Sequence, residues 1–307
     1  MTLCVLTQPI DPIGCDLLRA AGVEVALAPD TALTSLAPLL ARADAVITRN
    51  WGFGAAAMAL APRLRVIGSH GTGVDRIDLV AASARGIRVV NTPGANAPDV
   101  AELALGLMLA AARLLPQADR ALRAGDDGWR LRVQGLALGG RCLGLWGWGQ
   151  VARALAPMAL GLGMDVVVCS AHADASELTA AGVTRVTDVA TFLARVDILS
   201  LHGLPGPRPV LGAAELAALR PGALVINTAR GALIDEAALA DALQSGRLGG
   251  AALDVTVTEP LPPDHPFRAC PRLVLTPHIG SNTDRGMTST ARAVARAVLD
   301  ALGGDAP

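Results

Sequence analysis

The sequence contains no lysine and no tyrosine, and only three phenylalanines and four tryptophans in 307 residues. Without lysine there is no Schiff-base chemistry and no Walker-type phosphate loop, since both need its amine. All 26 cationic side chains other than histidine are therefore arginine. The five cysteines, Cys4, Cys15, Cys142, Cys169 and Cys270, are odd in number and scattered, with no C-x-x-C. That pattern points to free thiols in a reducing cytoplasm and against a structural zinc site; no metal is expected. The net charge of −1 gives no excess of either sign to draw in nucleic acid or an anionic membrane. No apolar run reaches transmembrane length. The richest, Leu103 to Leu115, carries Arg113 and is closed by Pro116. The N-terminus has no basic leader, so no signal peptide is expected, and no regulatory domain is expected past Pro307.

Apolar residues make up 52 % and charged ones 17 % of the chain, a globular composition long enough for two domains. Up to about Thr92, short apolar runs alternate with alanine-rich stretches. Leu3–Leu6, Val23–Leu27, Ala45–Ile47, Val66–Gly68 and Ile87–Val90 read as strands. Asp16–Ala21, Leu33–Ala41 and Ala55–Ala61 read as helices. Such alternation implies parallel strands with crossover helices. A long apolar helix is expected from about Ala97 to Leu115, linking two domains, followed by a polar loop from Ala124 to Gln134.

The next stretch organises the chain: C-L-G-L-W-G-W-G-Q-V-A, from Cys142 to Ala152. A short apolar strand meets Gly147 and Gly149, and a helical pattern runs from Val151 to Leu160. Gly147 permits a tight turn, and Gly149 lets a pyrophosphate approach the backbone. Ala152 is small enough for close helix packing. The helix start at Gly149, Gln150 and Val151 offers N–H groups and the positive dipole end to phosphates. A glycine turn of this kind also occurs with no ligand, but here the strand before it and the helix after it favour a dinucleotide. The Tyr/Lys pair of short-chain dehydrogenases, which use the same nucleotide fold, is excluded by composition. Trp146 reads as core and Trp148 as lining the cofactor. Further strands are expected at Asp165–Cys169, Asp197–His202, Ala223–Asn227, Gly250–Val255 and Leu273–Thr276, giving a doubly wound sheet of about six. One last helix, about Thr283 to Leu302, returns to the first domain.

In such sheets ligands bind past the carboxyl ends of the strands. Three segments place one functional side chain each at that edge: Arg230 in N-T-A-R-G, Glu259 in T-V-T-E-P and His278 in T-P-H-I-G. Together they suit reduction of a 2-oxo acid. The arginine binds the carboxylate and keto oxygen, the histidine donates a proton as hydride arrives, and the carboxylate orients the imidazole and favours its protonated form. Other residues just past strands, His202 and Gly203, Thr228 and Ala229, and Gly280, are candidates for the cofactor edge; packing is the other reading of His202. The loop G-S-H-G-T-G-V-D, after Ile67, can present backbone N–H groups to an anion, or be an ordinary turn. His70 in that loop and Arg49 past an earlier strand are candidates for substrate contact; a surface arginine is the other reading of Arg49.

These stretches resemble the D-isomer-specific 2-hydroxyacid dehydrogenase family. The resemblance runs through G-T-G-V-D-R-I-D, N-T-P-G-A-N with A-E-L-A-L-G-L, the glycine loop, R-P-G-A-L-V-I-N-T-A-R-G, A-A-L-D-V, E-P-L-P and T-P-H-I-G. It implies an α/β fold of two Rossmann-like doubly wound parallel-sheet domains with a cleft between them. Residues 1–96 with 283–307 would form a flavodoxin-like substrate domain, and 97–282 the dinucleotide-binding domain. It implies that Arg230 binds substrate, that His278 is the acid/base and that Glu259 is its partner. Backbone groups of Thr72 and Gly73 would hold the substrate carboxylate, Asp254 would contact the nicotinamide amide, and Asn96 and Val100 would lie beside the ring. The family commonly forms homodimers through the region after the long helix. The chain departs from the family pattern in the proline-rich Leu201–Leu211 and in the T-V-T before Glu259, where an aromatic is common.

The expected activity is NAD(P)-dependent interconversion of a small 2-oxo acid and its D-2-hydroxy acid, as in glyoxylate/hydroxypyruvate reductases. Alternatives are a nucleotide-sensing corepressor-like binding protein and a formate- or phosphite-type dehydrogenase, though the phosphite type carries a lysine. Where NAD enzymes of this fold place an acidic residue, about twenty positions past the glycine loop, this chain has Ser170. A carboxylate there repels the 2′-phosphate of NADP; serine does not, and His172 follows closely. NADP(H) is therefore favoured over NAD(H), although no arginine stands beside Ser170 in sequence, and Asp174 nearby could oppose phosphate.

Overall fold

The computed structural model describes residues 1–303; the end of the expected substrate domain, residues 304–307, lies outside the described residues. The chain divides into two compact units, Met1–Asn96 with the chain from Ser281 onward, and Ala97–Gly280.

The first unit runs β1 (Leu3–Leu6), α1 (Pro12–Ala20), β2 (Glu24–Leu27), α2 (Leu33–Leu40), β3 (Ala45–Thr48), α3 (Ala55–Ala59), β4 (Val66–Ser69), α4 (Leu79–Ala84) and β5 (Arg88–Val90). Its five strands are ordered β2-β1-β3-β4-β5 and all neighbours are parallel. Apolar β1, β3 and β4 are buried along their whole length, as strands covered on both faces must be. Helix α1 begins earlier than the expected Asp16. Asp11 accepts the Ile13 N–H and Pro12 stands at the first helical position, the usual use of a proline that lacks an N–H. Helix α4, unforeseen, starts on the same device, with Asp78 accepting the Ala81 N–H.

The second unit runs α5 (Ala97–Ala112), α6 (Leu115–Arg123), β6 (Cys142–Trp146), α7 (Gln150–Gly161), β7 (Asp165–Cys169), α8 (Ala175–Ala180), β8 (Thr184–Arg185), α9 (Val189–Arg195), β9 (Ile198–Leu201), α10 (Ala213–Ala218), β10 (Leu224–Asn227), α11 (Glu236–Gln244), β11 (Gly250–Leu253) and β12 (Leu273–Leu275). The last helix, α12 (Asp284–Gly303), belongs to the first unit. The sheet has seven parallel strands, ordered β12-β11-β10-β9-β6-β7-β8, rather than the six expected. The extra one, β8, is two residues long, too short to leave an apolar run in the sequence. The strand order turns back at β6, whose neighbours are β7 on one side and β9 on the other. That is the switch point of a doubly wound sheet, and the Gly147 turn follows it.

The long helix expected from Ala97 to Leu115 is α5, which ends at Ala112, and a second helix, α6, follows it. Leu114 adopts a left-handed conformation (φ 55°) and Pro116 opens α6. Proline cannot continue a helix without clashing with the carbonyl four residues earlier, so the chain breaks before it. Helix α5 buries Ala101, Ala104, Leu107, Met108 and Ala111 in a core that includes Ala152, Leu155, Ala156 and Ala159 of α7. Alanine on both helices permits this close approach. Among the described residues no helix is long and apolar enough to cross a membrane.

Candidate active site

Three turns at the carboxyl edge of the larger sheet carry the expected catalytic side chains. Arg230 follows β10, which ends at the fully buried Asn227. The Asn227 amide shapes the turn: Oδ1 accepts the Ala229 N–H at 3.0 Å and Nδ2 donates to the Arg230 carbonyl at 2.8 Å. Arg230 Nη1 donates to the Ala229 carbonyl at 2.7 Å. A Cβ on Gly231 would stand 2.1 Å from the Thr256 carbonyl carbon, so only glycine lets this turn lie against the segment that leads to Glu259.

Glu259 Oε1 accepts the Thr256 N–H at 3.2 Å, and its Oε2 meets His278 Nδ1 at 2.9 Å. The contact fixes the proton on Nδ1 and leaves Nε2 without a partner among the described residues; the imidazole is 44 % exposed. His278 itself sits at φ 53°, a conformation that its surroundings must impose. Asp254 imposes it. Its carbonyl accepts the His278 N–H, its Oδ1 accepts from Thr276 Oγ1 and the Ile279 N–H, and its Oδ2 accepts the Gly280 N–H. Burial raises the Asp254 carboxyl above its ordinary range, and these hydrogen bonds offset only part of that rise. Val100 completes this corner: a Cβ on Gly280 would lie 3.2 Å from both Val100 Cγ2 and Asp254 Oδ2.

A brace that sequence reasoning missed holds the Glu259 loop. Glu236, at the start of α11, accepts the Val257 N–H at 2.8 Å, and its other oxygen meets His265 Nε2 at 3.2 Å. His265 Nδ1 accepts the Phe267 N–H, so Nε2 carries the proton. No local pattern marks either residue, since Val257 and His265 lie 21 and 29 positions from Glu236.

The glycine turn fits a dinucleotide on its own geometry. Gly147 has φ 96°, and a Cβ there would meet the His202 carbonyl at 3.0 Å. Its N–H donates to the Cys169 carbonyl at 2.9 Å, which ties the turn to the end of β7. Gly149 precedes α7 and offers no side-chain cap, so the N–H groups of Gln150 and Val151 stay available, and a Cβ on Gly149 would meet nothing nearer than 3.9 Å. Thr228 Oγ1 is buried without a partner at the same edge. Of the two tryptophans, Trp146 packs against a core cluster as expected, while Trp148 departs from its expected place. Trp148 is 7 % exposed and packs in the core with its Nε1 unpartnered, because the Gly147 turn redirects the chain; Trp146 is the half-buried one, edge-on to Phe192. His202 Nε2 meets Ser200 Oγ at 2.9 Å, and burial pushes its imidazole down to about 4. Gly203 lies beside Trp146.

Ser170 follows β7 and His172 is exposed two residues on. Asp174 does not turn inward: it caps α8, accepting the Glu177 N–H at 2.9 Å. The absence of an arginine beside Ser170 holds in sequence but not in space. Arg185 Nη2 donates to the carbonyls of Ser170 and Ala171, both at 3.2 Å. No local signal could have found this, since β8 brings Arg185 there from fifteen positions away.

In the first unit, Ser69 Oγ donates to the Gly73 carbonyl at 2.6 Å and Asn91 Nδ2 to the Thr72 carbonyl at 2.6 Å. The N–H groups of Thr72 and Gly73 donate to nothing among the described residues. Arg49 is held by the Pro9 carbonyl at 3.1 Å and by Asn282 Oδ1 at 3.5 Å. His70 is buried with its Nε2 unpartnered; burial first, then the Arg49 charge, push it down to about 4. Asn96 closes this unit.

A family model described as D-isomer specific 2-hydroxyacid dehydrogenase, NAD binding domain, matches residues 105–280. The chain is 35 % identical over 309 residues to D-3-phosphoglycerate dehydrogenase of Methanocaldococcus jannaschii, covering 99 % of this chain but 58 % of that longer protein. It is 37 % identical to glyoxylate reductase of Thermococcus litoralis, over 80 % of this chain and 76 % of that one. A solved structure of the NADPH-dependent glyoxylate/hydroxypyruvate reductase of Sinorhizobium meliloti, in complex with NADP and malonate, superposes with a TM-score of 0.85 at 27 % identity, covering 98 % of this chain and 94 % of that one.

Proposed function

The chain belongs to the D-isomer-specific 2-hydroxyacid dehydrogenase family, and from that premise we propose that it interconverts a small 2-oxo acid and its D-2-hydroxy acid, with NADP(H) as carrier. The observation that carries this reading is the 2.9 Å contact between Glu259 Oε2 and His278 Nδ1. Nicotinamide, when bound, supplies or takes up the hydride. The Arg230 guanidinium binds the carboxylate and keto oxygen of the acid, which suits its planar fork. His278 Nε2 donates the proton that turns the keto oxygen into a hydroxyl, and Glu259 orients the ring through Nδ1. The Thr72 and Gly73 N–H groups hold the substrate carboxylate, and Arg49 and His70 select among side chains. Asp254 keeps His278 in its turn, and its second role is at the nicotinamide amide with Asn96 and Val100 beside the ring.

Gln150, Val151, Thr228, Ala229 and Gly280 hold the rest of the dinucleotide. NADP(H) is preferred because Ser170 puts no negative charge against a 2′-phosphate. The protein is a homodimer through the segment after α5, where Leu115, Leu122 and Leu131 are 52 %, 67 % and 82 % exposed. Five unpaired thiols fit a reducing cytoplasm. The test is a spectrophotometric panel of glyoxylate, hydroxypyruvate, pyruvate, phenylpyruvate and 3-phosphohydroxypyruvate, each with NADPH and NADH. Oxidation with at least one acid is expected; none with any would point to a nucleotide-sensing binding protein.

A further inference from the structure

The position that decides between the two nicotinamide dinucleotides carries no charge of its own in this chain. Ser170 is neutral, and removing a repelling carboxylate does not by itself attract a phosphate dianion. Something cationic has to stand at the end of β7, and Arg185 does. The path to it is short. The Gly147 N–H donates to the Cys169 carbonyl at 2.9 Å, so the residue after Cys169 lies directly beside the pyrophosphate turn. That residue is Ser170, and its carbonyl accepts from Arg185 Nη2. The register Val168↔Arg185 between β7 and β8 places the arginine one strand over, and its side chain reaches along the edge to Ser170 and Ala171.

The guanidinium is held but not consumed. Its hydrogen bonds run from one nitrogen to two backbone carbonyls, and among the described residues it forms no ion pair. Nε and Nη1 keep their donors, and a planar fork with spare donors matches phosphate oxygens. The acidic groups nearby are committed elsewhere. Asp174 caps α8, with Ser176 also donating to it, and Asp188 caps α9 by accepting the Thr191 N–H at 2.7 Å. The carbonyl anchors restrict the arginine before any ligand arrives, so little side-chain freedom remains to be lost on binding.

We propose that Arg185 is the specificity-determining residue for the cofactor, reading the 2′ position of the adenosine ribose and holding the 2′-phosphate of NADP(H) against Ser170. This rests on the NADP(H) reading given above. Two adenosine fragments that differ only in that phosphate, 2′,5′-ADP and 5′-AMP, test it by isothermal titration calorimetry on the full chain without turnover. Wild type is expected to bind 2′,5′-ADP at least about tenfold more tightly, the scale of a hydrogen bond to a charged group. Arg185→Gln, which keeps a side-chain donor but no charge, is expected to erase most of that advantage, and Arg185→Lys to keep part of it. Ser170→Asp is expected to invert it while Arg185 stays in place. A ratio unchanged in Arg185→Gln, or an equal loss of both fragments, overturns the proposal, the second outcome because it marks a loop brace. Wild type that binds both fragments equally overturns the NADP(H) reading itself and the role of Arg185 with it.

Discussion

The Asp254 carbonyl accepts the His278 N–H at 2.9 Å, while the Asp254 carboxylate takes the next two N–H groups, those of Ile279 and Gly280. A buried acid thus holds a histidine in a left-handed turn that a side chain rarely adopts unaided. Stranding even one such buried donor costs about 1–3 kcal/mol. Asp254→Ala is expected to lower stability by at least that amount in urea titrations, and turnover along with it. Unchanged stability would mean that the turn holds itself.

His278→Ala is expected to lower kcat by about two to four powers of ten, the usual contribution of a positioned acid. Arg230→Ala is expected to raise KM and lower kcat together, because the same guanidinium binds ground and transition states. Steady-state kinetics separates these. Near-normal kcat in the histidine variant would move the acid role to another group.

Glu236→Ala removes the acceptor of the Val257 N–H and the partner of His265 Nε2, which frees the loop that carries Glu259. The expected result is a lower kcat with an altered pH profile and a nearly unchanged KM for the dinucleotide, partly restored by Glu236→Gln. A variant that merely melts earlier, with an unaltered profile, would make Glu236 a structural brace alone.

Gly231→Ala is expected to cost about 1–3 kcal/mol, as overpacking does, because its methyl group would meet the Thr256 backbone at 2.1 Å. Activity should fall further than stability, since the turns of Arg230 and Glu259 are forced apart. Denaturant midpoint and kcat/KM, measured on the same preparation, check both.

His70 and His202 are each lowered from 6.5 to about 4, chiefly by burial. At pH 7 both are mainly neutral, folded or unfolded, and contribute little. As pH falls below 6.5 the unfolded chain takes up the proton and the folded one does not, so stability declines until about pH 4. Each histidine accounts for on the order of 3 kcal/mol over that window. The denaturation midpoint should drop between pH 7 and pH 4.5, less steeply in His202→Gln. A flat profile would show that these rings accept protons inside the fold.

The sequence was most legible where a glycine or proline ends an apolar run. Strand β6 stops where Gly147 follows it, and β7 was read to the residue. Legibility failed where structure is lent by neighbours. Strand β8 exists because Val167 and Val168 pair with it, and two residues leave no pattern. Helix α6 is polar and buries none of its residues, so no element was legible there; the expected loop begins only at Ala124. In the site, Arg230, Glu259 and His278 were visible because each follows its strand closely. Glu236 and Arg185 were not, since what they do depends on which loops the sheet brings to them.

In β4, a Cβ on Gly68 would lie 2.8 Å from methyl groups of both Val294 and Val298, so the final helix seats directly on the sheet of the first unit. Synthesis on the ribosome runs the other way. Met1–Asn96 emerges with one sheet face only partly covered, by α1, and the twenty residues that complete the cover, Asp284–Gly303, are made only after the whole second unit. The unit between them is contiguous and can close as soon as it clears the exit tunnel. Folding order is then inverted relative to birth order: the second unit matures first, and the nascent amino-terminal unit waits as a client for chaperones until its own distant helix arrives.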